Sequence, residues 1–225
     1  MQIINDNKLI AYFSMEIGID PAIPTYSGGL GILAGDTIKS FADLKIPSVA
    51  LTLLYKKGYL YQKLDSEGRQ VELPHEWDYE KFLTPLKEEI SIALRERPVY
   101  IKAWQYLYEG ASGFLVPIIF LDTDIDANIE EDRMITHYLY GGDEVYRLLQ
   151  EAILGIGGIK MLENLGYKSL KKYHMNEGHS SLLAIELLKK NFYLLQNAFK
   201  EKQSEEIINQ AAENVRKMCV FTTHT

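Results

Sequence analysis

The apolar and polar positions of the chain follow two rhythms, short runs and helical repeats. Leu9-Ile-Ala-Tyr-Phe-Ser14 is a run rich in β-formers and predicts a strand. A loop with Gly18, Pro21, Pro24 and Gly28-Gly29 follows. Asp36 is positioned to cap a helix through roughly Leu44, with Ile38, Phe41, Ala42 and Leu44 on its apolar side and Pro47 beyond its end. Residues 48–54 read as a buried strand. This β-loop-α-β order predicts a parallel, right-handed unit. Residues 58–64, the turn 65–68 and residues 70–73 predict a hairpin, and 99–104 and 114–121 two more strands. Residues 56–120 are thus expected to form a β-rich insertion whose last strand returns to the main sheet. Leu121-Asp-Thr-Asp124 sets carboxylates just past a strand end.

The second half is mostly helical. Asp143 caps a helix from Glu144 to about Leu165, in which Val145, Leu148, Leu149, Ala152, Ile153 and Ile156 keep a helical spacing and Gly166 supplies the stop. Residues 172–175 form a short strand, 180–190 and 205–218 amphipathic helices, and 219–223 a strand. Strand–helix alternation on both sides of the insertion predicts a doubly wound α/β domain over residues 1–225. No internal repeat or Pro/Gly/Ser-rich linker divides it. The final stretch reads as a buried strand running into a loop, which suggests that more chain normally follows.

Composition narrows the class. With 225 residues, 47% hydrophobic and 24% charged, the chain is that of a folded globular protein, not a disordered one. No apolar run is long enough to span a bilayer. The first 14 residues lack the basic head and apolar stretch of a signal peptide. The single cysteine, Cys219, has no internal partner, which fits a reducing cytoplasm. Thirty-one acids against 24 bases leave a net charge of -7 and disfavour nucleic acid as a partner.

Four clusters could carry chemistry. Tyr26-Ser-Gly-Gly-Leu-Gly-Ile-Leu-Ala-Gly-Asp36 follows a strand and opens a helix. Its glycines let backbone amides converge on an anion at a helix N-terminus. A ligand-free tight turn accounts for the glycines equally well, and neither G-x-G-x-x-G nor the P-loop spacing is present. Gly155-Ile-Gly-Gly158 lies inside a helical pattern and reads as close helix packing. His174-Met-Asn-Glu-Gly-His179 fits no zinc spacing. At a strand-to-helix junction it suits a polar, sugar-facing loop, or a capping cluster for the next helix. Tyr138-Leu-Tyr-Gly-Gly-Asp143 combines rings with a carboxylate, which suits a carbohydrate, though a helix cap with core tyrosines explains it too. There is no local Ser-His-Asp or Cys-His signature and no metal motif.

Taken in order, these segments resemble the α-glucan (glycogen, starch or maltodextrin) phosphorylases. The matching pieces are Tyr12-Phe-Ser-Met-Glu16, the glycine loop, Leu54-Tyr-Lys-Lys-Gly-Tyr59, Leu121-Asp-Thr-Asp124, Leu139-Tyr-Gly-Gly-Asp143, Gln150-Glu-Ala-Ile-Leu-Gly-Ile-Gly-Gly158, His174-Met-Asn-Glu-Gly-His179 and Thr222-Thr-His-Thr225. The likeness is to the shorter bacterial and archaeal type. It implies the Rossmann-like N-terminal domain of a two-domain GT-B glycosyltransferase. It also implies phosphorolysis of α-1,4-glucan to glucose 1-phosphate, with α-glucan and inorganic phosphate as partners.

The resemblance carries residue roles as well. Gly28, Gly29 and Leu30 match the loop whose amides face phosphate and glucose. His224 matches the catalytic-site histidine near the glucose 6-hydroxyl. Glu177 and His179 match an acid and a histidine lining the sugar pocket, and Glu16 a carboxylate near the cleft. Ile32 stands where the animal enzymes carry arginine. Pyridoxal phosphate belongs to the complete enzyme, on a lysine in a C-terminal domain absent from this sequence. The chain alone is expected to be inactive, to stay in the cytoplasm, and to need a C-terminal half from elsewhere; the complete enzyme could be a homodimer.

Two other readings stand beside this one. A glycogen- or starch-synthase-like half would respond to ADP-glucose and not to phosphate. A non-catalytic glucan-binding module would bind oligosaccharide as a monodisperse chain.

Overall fold

A computed structural model describes residues 7–200 and 203–224. Outside them lie part of the N-terminal segment inspected for a leader and the last residue of the Thr222-Thr-His-Thr225 stretch. In chain order the elements are β1 (Ile10–Ser14), α1 (Gly29–Asp43), β2 (Ser48–Leu53), β3 (Leu60–Leu64), β4 (Gln70–Pro74), β5 (Thr84–Leu94), β6 (Arg97–Glu109) and β7 (Leu115–Asp122). There follow α2 (Glu130–Arg133), α3 (Glu144–Ala152), a π-helical turn (Ile153–Gly157), α4 (Gly158–Asn164), β8 (Lys172–Asn176), α5 (Leu182–Ala198), α6 (Ser204–Met218) and β9 (Cys219–Thr222).

One seven-stranded sheet runs in the order β5-β6-β7-β2-β1-β8-β9. The five strands from β7 to β9 are parallel, while β5 and β6 pair antiparallel. The chain is therefore mixed α/β with a mainly parallel central sheet, compatible with a Rossmann-like fold. Pleat alternation divides the core in two. Ala11, Phe13, Leu51 and Ile119 face Leu154, Met161 and Leu183 of the α3–α5 layer. Tyr12, Ala50, Ile118 and Phe120 face Ala34, Ile38 and Ala42 of α1. Among the described residues no helix is long and apolar enough to cross a membrane.

Residues 56–120 hold strands and no α-helix. The β3–β4 hairpin forms its own two-stranded sheet, whereas β5 and β6 extend the main one. The hydrophobic pattern names no element at β5, because Lys87, Glu88 and Glu89 interrupt its apolar alternation. The register with β6 also shifts between Pro85 and Glu89. Charge and irregularity of this kind protect an edge strand from pairing with other chains.

The expected cap at Asp36 is wrong by a little over two turns. Helix α1 starts at Gly29 with Gly28 as N-cap, and Asp36 lies in its interior. Close packing requires glycine at Gly31 and Gly35 in this helix, whereas Gly28 and Gly29 at its start have open space around them. The Gly31 carbonyl accepts from the Gly18 amide at 2.8 Å. A Cβ on Gly35 would lie 2.1 Å from the Gly18 carbonyl oxygen. The expected single helix over 144–165 is one rod broken by the π turn, and Gly166 ends it at φ 83°.

Candidate functional site

Strands β2 and β7 follow β1 to one side of it, and β8 and β9 lie on the other. The order therefore reverses between β1 and β8. Open parallel sheets bind ligands beyond the carboxyl ends of their strands at such a reversal. The segments that leave these ends carry Glu16 after β1, Glu177 after β8 and His224 after β9.

Glu16 is buried at 3% exposure. Its Oε2 accepts from the Ser27 amide at 2.6 Å, the Gly28 amide at 3.2 Å and the Ser27 hydroxyl at 3.1 Å. Its Oε1 accepts from the Tyr140 hydroxyl at 2.9 Å. Four donors match the acceptor sites of one carboxylate. Glu16 thus ties down the glycine loop from a distance, its acceptor capacity largely taken up within the protein. The loop's remaining donors are the Gly29 and Leu30 amides, in the first turn of α1, where the helix itself offers no acceptor. Gly28 and Gly29 are exposed and Leu30 is half-buried, so these amides open toward solvent. A helix N-terminus with free amides attracts anions.

Tyr140 joins this loop to the next cluster. Its ring lies 5.7 Å from the His179 ring, and Arg147 covers it at 5.3 Å. Burial first, then the Glu16 carboxylate, raises the Tyr140 pKa, so its hydroxyl remains a donor. The segment carrying Tyr140 is held by buried Gln150, whose amide nitrogen donates to the Ile135 and Tyr138 carbonyls at 2.8 Å each. Asp143 caps α3 by accepting from the Tyr146 amide at 2.9 Å. His179 itself contacts Glu151 of α3, Nδ1 to Oε1 at 3.1 Å.

His224 and Glu177 meet directly. The Glu177 Oε1 accepts from the His224 amide, and the His224 Nε2 lies 2.8 Å from Asn176 Oδ1. The Asn176 amide nitrogen donates to the Ser14 hydroxyl at 3.0 Å, which donates on to the Glu16 carbonyl at 2.6 Å. The Asn176 oxygen therefore faces His224 and accepts a hydrogen bond from its Nε2–H. This chain of bonds crosses from β1 to β8 and fixes the loop of β9. Asn176 and Ser14 carry no motif signal of their own; only the strand register, with Ser14 opposite Asn176, reveals them.

The remaining candidates separate. His174 lies half-buried on β8, its Nε2 2.6 Å from the Thr222 hydroxyl and its ring edge-on to Tyr12. Burial lowers its pKa. Asp122 and Asp124 belong to a network of ion pairs: Lys56 reaches both, at 3.3 and 2.8 Å, and Arg133 reaches Asp124 at 2.6 Å. Burial works against the Asp124 charge, but hydrogen bonds from Lys56 and Arg133 outweigh it and hold the carboxyl well below the usual range. In the Gly155–Gly158 cluster, added Cβ atoms would meet Leu183, Ile101 and Phe13, which is close packing and not a ligand cradle. No group of His, Cys, Asp or Glu among the described residues is arranged to hold a metal ion.

Glu177 adopts φ 66° and ψ 178°, a region that only glycine enters freely. This gives a test of the site's geometry in solution. Glu177→Gly and Glu177→Ala both delete the carboxylate, but only alanine keeps the strain. The glycine variant is expected to be the more stable by about 1–2 kcal/mol, the reverse of the ordinary order. Equal or inverted urea midpoints would show that the strained turn is absent.

No protein-family model matches the chain. The maltodextrin phosphorylase of Thermococcus litoralis is 38% identical over 225 residues, covering 96% of this chain and 25% of that protein. The glycogen phosphorylase of Mycobacterium tuberculosis is 37% identical, covering 96% and 25%. The glycogen phosphorylase of Aquifex aeolicus is 31% identical, covering 97% and 30%. The chain thus spans about a quarter of the length of the curated relatives it matches first.

Proposed function

We propose, from the premise that this chain is a portion of an α-glucan phosphorylase, that it supplies the sugar- and phosphate-facing wall of that enzyme's cleft. The reaction is phosphorolysis of a terminal α-1,4 bond of glycogen or maltodextrin to glucose 1-phosphate. One observation carries the reading. The free Gly29 and Leu30 amides share one sheet edge with a polar cluster built from Glu177, His179 and His224.

In this reading the amides donate to phosphate oxygens, and the α1 dipole stabilises the anion and the charge that grows as the bond breaks. Glu16 orients the loop without touching substrate. With Nε2 donating to Asn176, a neutral His224 keeps Nδ1 as an acceptor for a sugar hydroxyl. When bound in the complete enzyme, pyridoxal phosphate would supply proton relay through its phosphate. Its aldehyde needs a lysine, and none is among the side chains gathered here; the Lys56 amine is taken by Asp122 and Asp124. These residues do not fit the covalently held group, which belongs with a C-terminal domain outside this chain. Turnover is accordingly expected only where these residues face the lysine-bearing half of the enzyme.

The test is a chimera in which this chain replaces the matching quarter of the T. litoralis enzyme. It is expected to release glucose 1-phosphate from maltodextrin and phosphate, while the isolated chain releases none. Removing the His224 side chain in the chimera should lower the rate by roughly a hundredfold or more. An inactive but folded chimera, or full activity without His224, would count against the reading.

A further inference from the structure

We propose that Glu151 is the positioning residue of His179: it accepts a hydrogen bond from Nδ1–H and so presents Nε2 as an acceptor for a sugar hydroxyl. The identity of the ligand rests on the phosphorylase reading; the tautomer does not.

Chemistry at the contact decides the direction of the bond. An ionised carboxylate only accepts, so an imidazole nitrogen 3.1 Å from Glu151 Oε1 must carry the hydrogen. A neutral ring with Nδ1 protonated has its lone pair on Nε2. No hydrogen bond among the described residues takes up that nitrogen. The Tyr140 ring, tilted by 51° against the imidazole, limits its rotation. Both partners are mostly covered, with side chains 22% and 21% exposed, so water competes weakly for the bond.

The fold brings Glu151 there by an unusual route. Glu151 sits in the last turn of α3, directly before the π turn. Single π turns inside helices are frequent at functional sites. Here the interruption seats Gly155 against the start of α5. A Cβ on Gly155 would come within 2.6 Å of the Leu183 amide nitrogen and 2.9 Å of the Leu182 carbonyl carbon. That approach carries the end of α3 up to the turn holding His179, just before α5. The glycine cluster and the histidine motif thus meet through Glu151.

The consequence is selectivity within the cleft. A lone pair at Nε2 accepts from a hydroxyl and repels phosphate oxygens. Sugar and phosphate are then sorted to different donors and acceptors: phosphate to the α1 amides, a glucan hydroxyl to His179.

Long-range proton–nitrogen spectra of the 15N-labelled full chain test this, with the His179 ring assigned from a His179→Gln variant. The wild type is expected to show Nδ1 protonated and Nε2 bare. Glu151→Gln, whose amide oxygen still accepts, should keep that pattern, and Glu151→Ala should lose it. Maltoheptaose should shift the His179 Nε2 signal and bind the alanine variant roughly tenfold more weakly. An Nε2-protonated ring in the wild type, or an unchanged ring in Glu151→Ala, would overturn the positioning role. Sugar-induced shifts at other residues that spare His179 would overturn its acceptor role. An intact tautomer pattern with no maltoheptaose response anywhere would uphold Glu151 as the positioning residue but overturn the acceptor role of His179.

Discussion

Gly35→Ala is expected to pull α1 away from the loop that follows β1, although alanine is the better helix former. The added methyl would stand 2.1 Å from the Gly18 carbonyl oxygen and 2.7 Å from its carbon. Both are backbone atoms, and no rotamer change relieves the clash. Either α1 lifts off the loop or the 18–19 segment moves, and each breaks the bond from the Gly18 amide to the Gly31 carbonyl. Helix propensity alone would favour alanine by about 1 kcal/mol. Overpacking against rigid neighbours costs about 1–3 kcal/mol and occasionally more. With backbone on both sides of the contact, a net loss of about 3 kcal/mol is expected. Urea midpoints measure it, and a variant as stable as the wild type would show that α1 does not rest on Gly18.

Removal of the Glu16 carboxylate is the second large effect. Glu16→Ala strands two amides and two hydroxyls that now converge on one buried group. A buried donor left without a partner costs about 1–3 kcal/mol, and water can reach the exposed Ser27 and Gly28, so the total should be about 3 kcal/mol. Glu16→Gln keeps one accepting oxygen but turns an amide NH2 toward the other donors; about half that loss follows. The two variants together separate shape from charge. Native-like stability in Glu16→Ala, read from urea or thermal unfolding, would mean that the carboxylate does not hold the loop. In the phosphorylase chimera both variants should also weaken phosphate binding, because Gly29 and Leu30 lose their fixed direction.

Much of the sheet could be read from apolar runs, because buried parallel strands need continuous hydrophobicity. Strand β2 is buried at every position, and its boundaries follow from Ser48-Val-Ala-Leu-Thr-Leu. Strand β5 was hidden, since an edge strand favours charge where a central one favours valine. The start of α1 was misread for a related reason. Local logic rewards an acidic cap, and Asp36 stands before an apolar stretch. The real start at Gly29 is organised by Glu16, remote in sequence, and no local pattern records that. In the site, histidine, glutamate and glycine drew attention through family likeness. Asn176, Ser14, Tyr140, Gln150 and Glu151 stand in the same matching segments but were given no role, because their importance lies in what they face across strands and helices.

Tyr140 has a thermodynamic consequence beyond its contacts. One side chain touches both the carboxylate that holds the glycine loop and the ring of His179. It does so from a left-handed backbone position, at φ 55°, that tolerates little drift. Any ligand that shifts Tyr140 on binding at one of these places must therefore alter affinity at the other, and linkage requires the two effects to be equal. Phosphate held at α1 and a sugar held at His179 would each strengthen or weaken the other by the same factor.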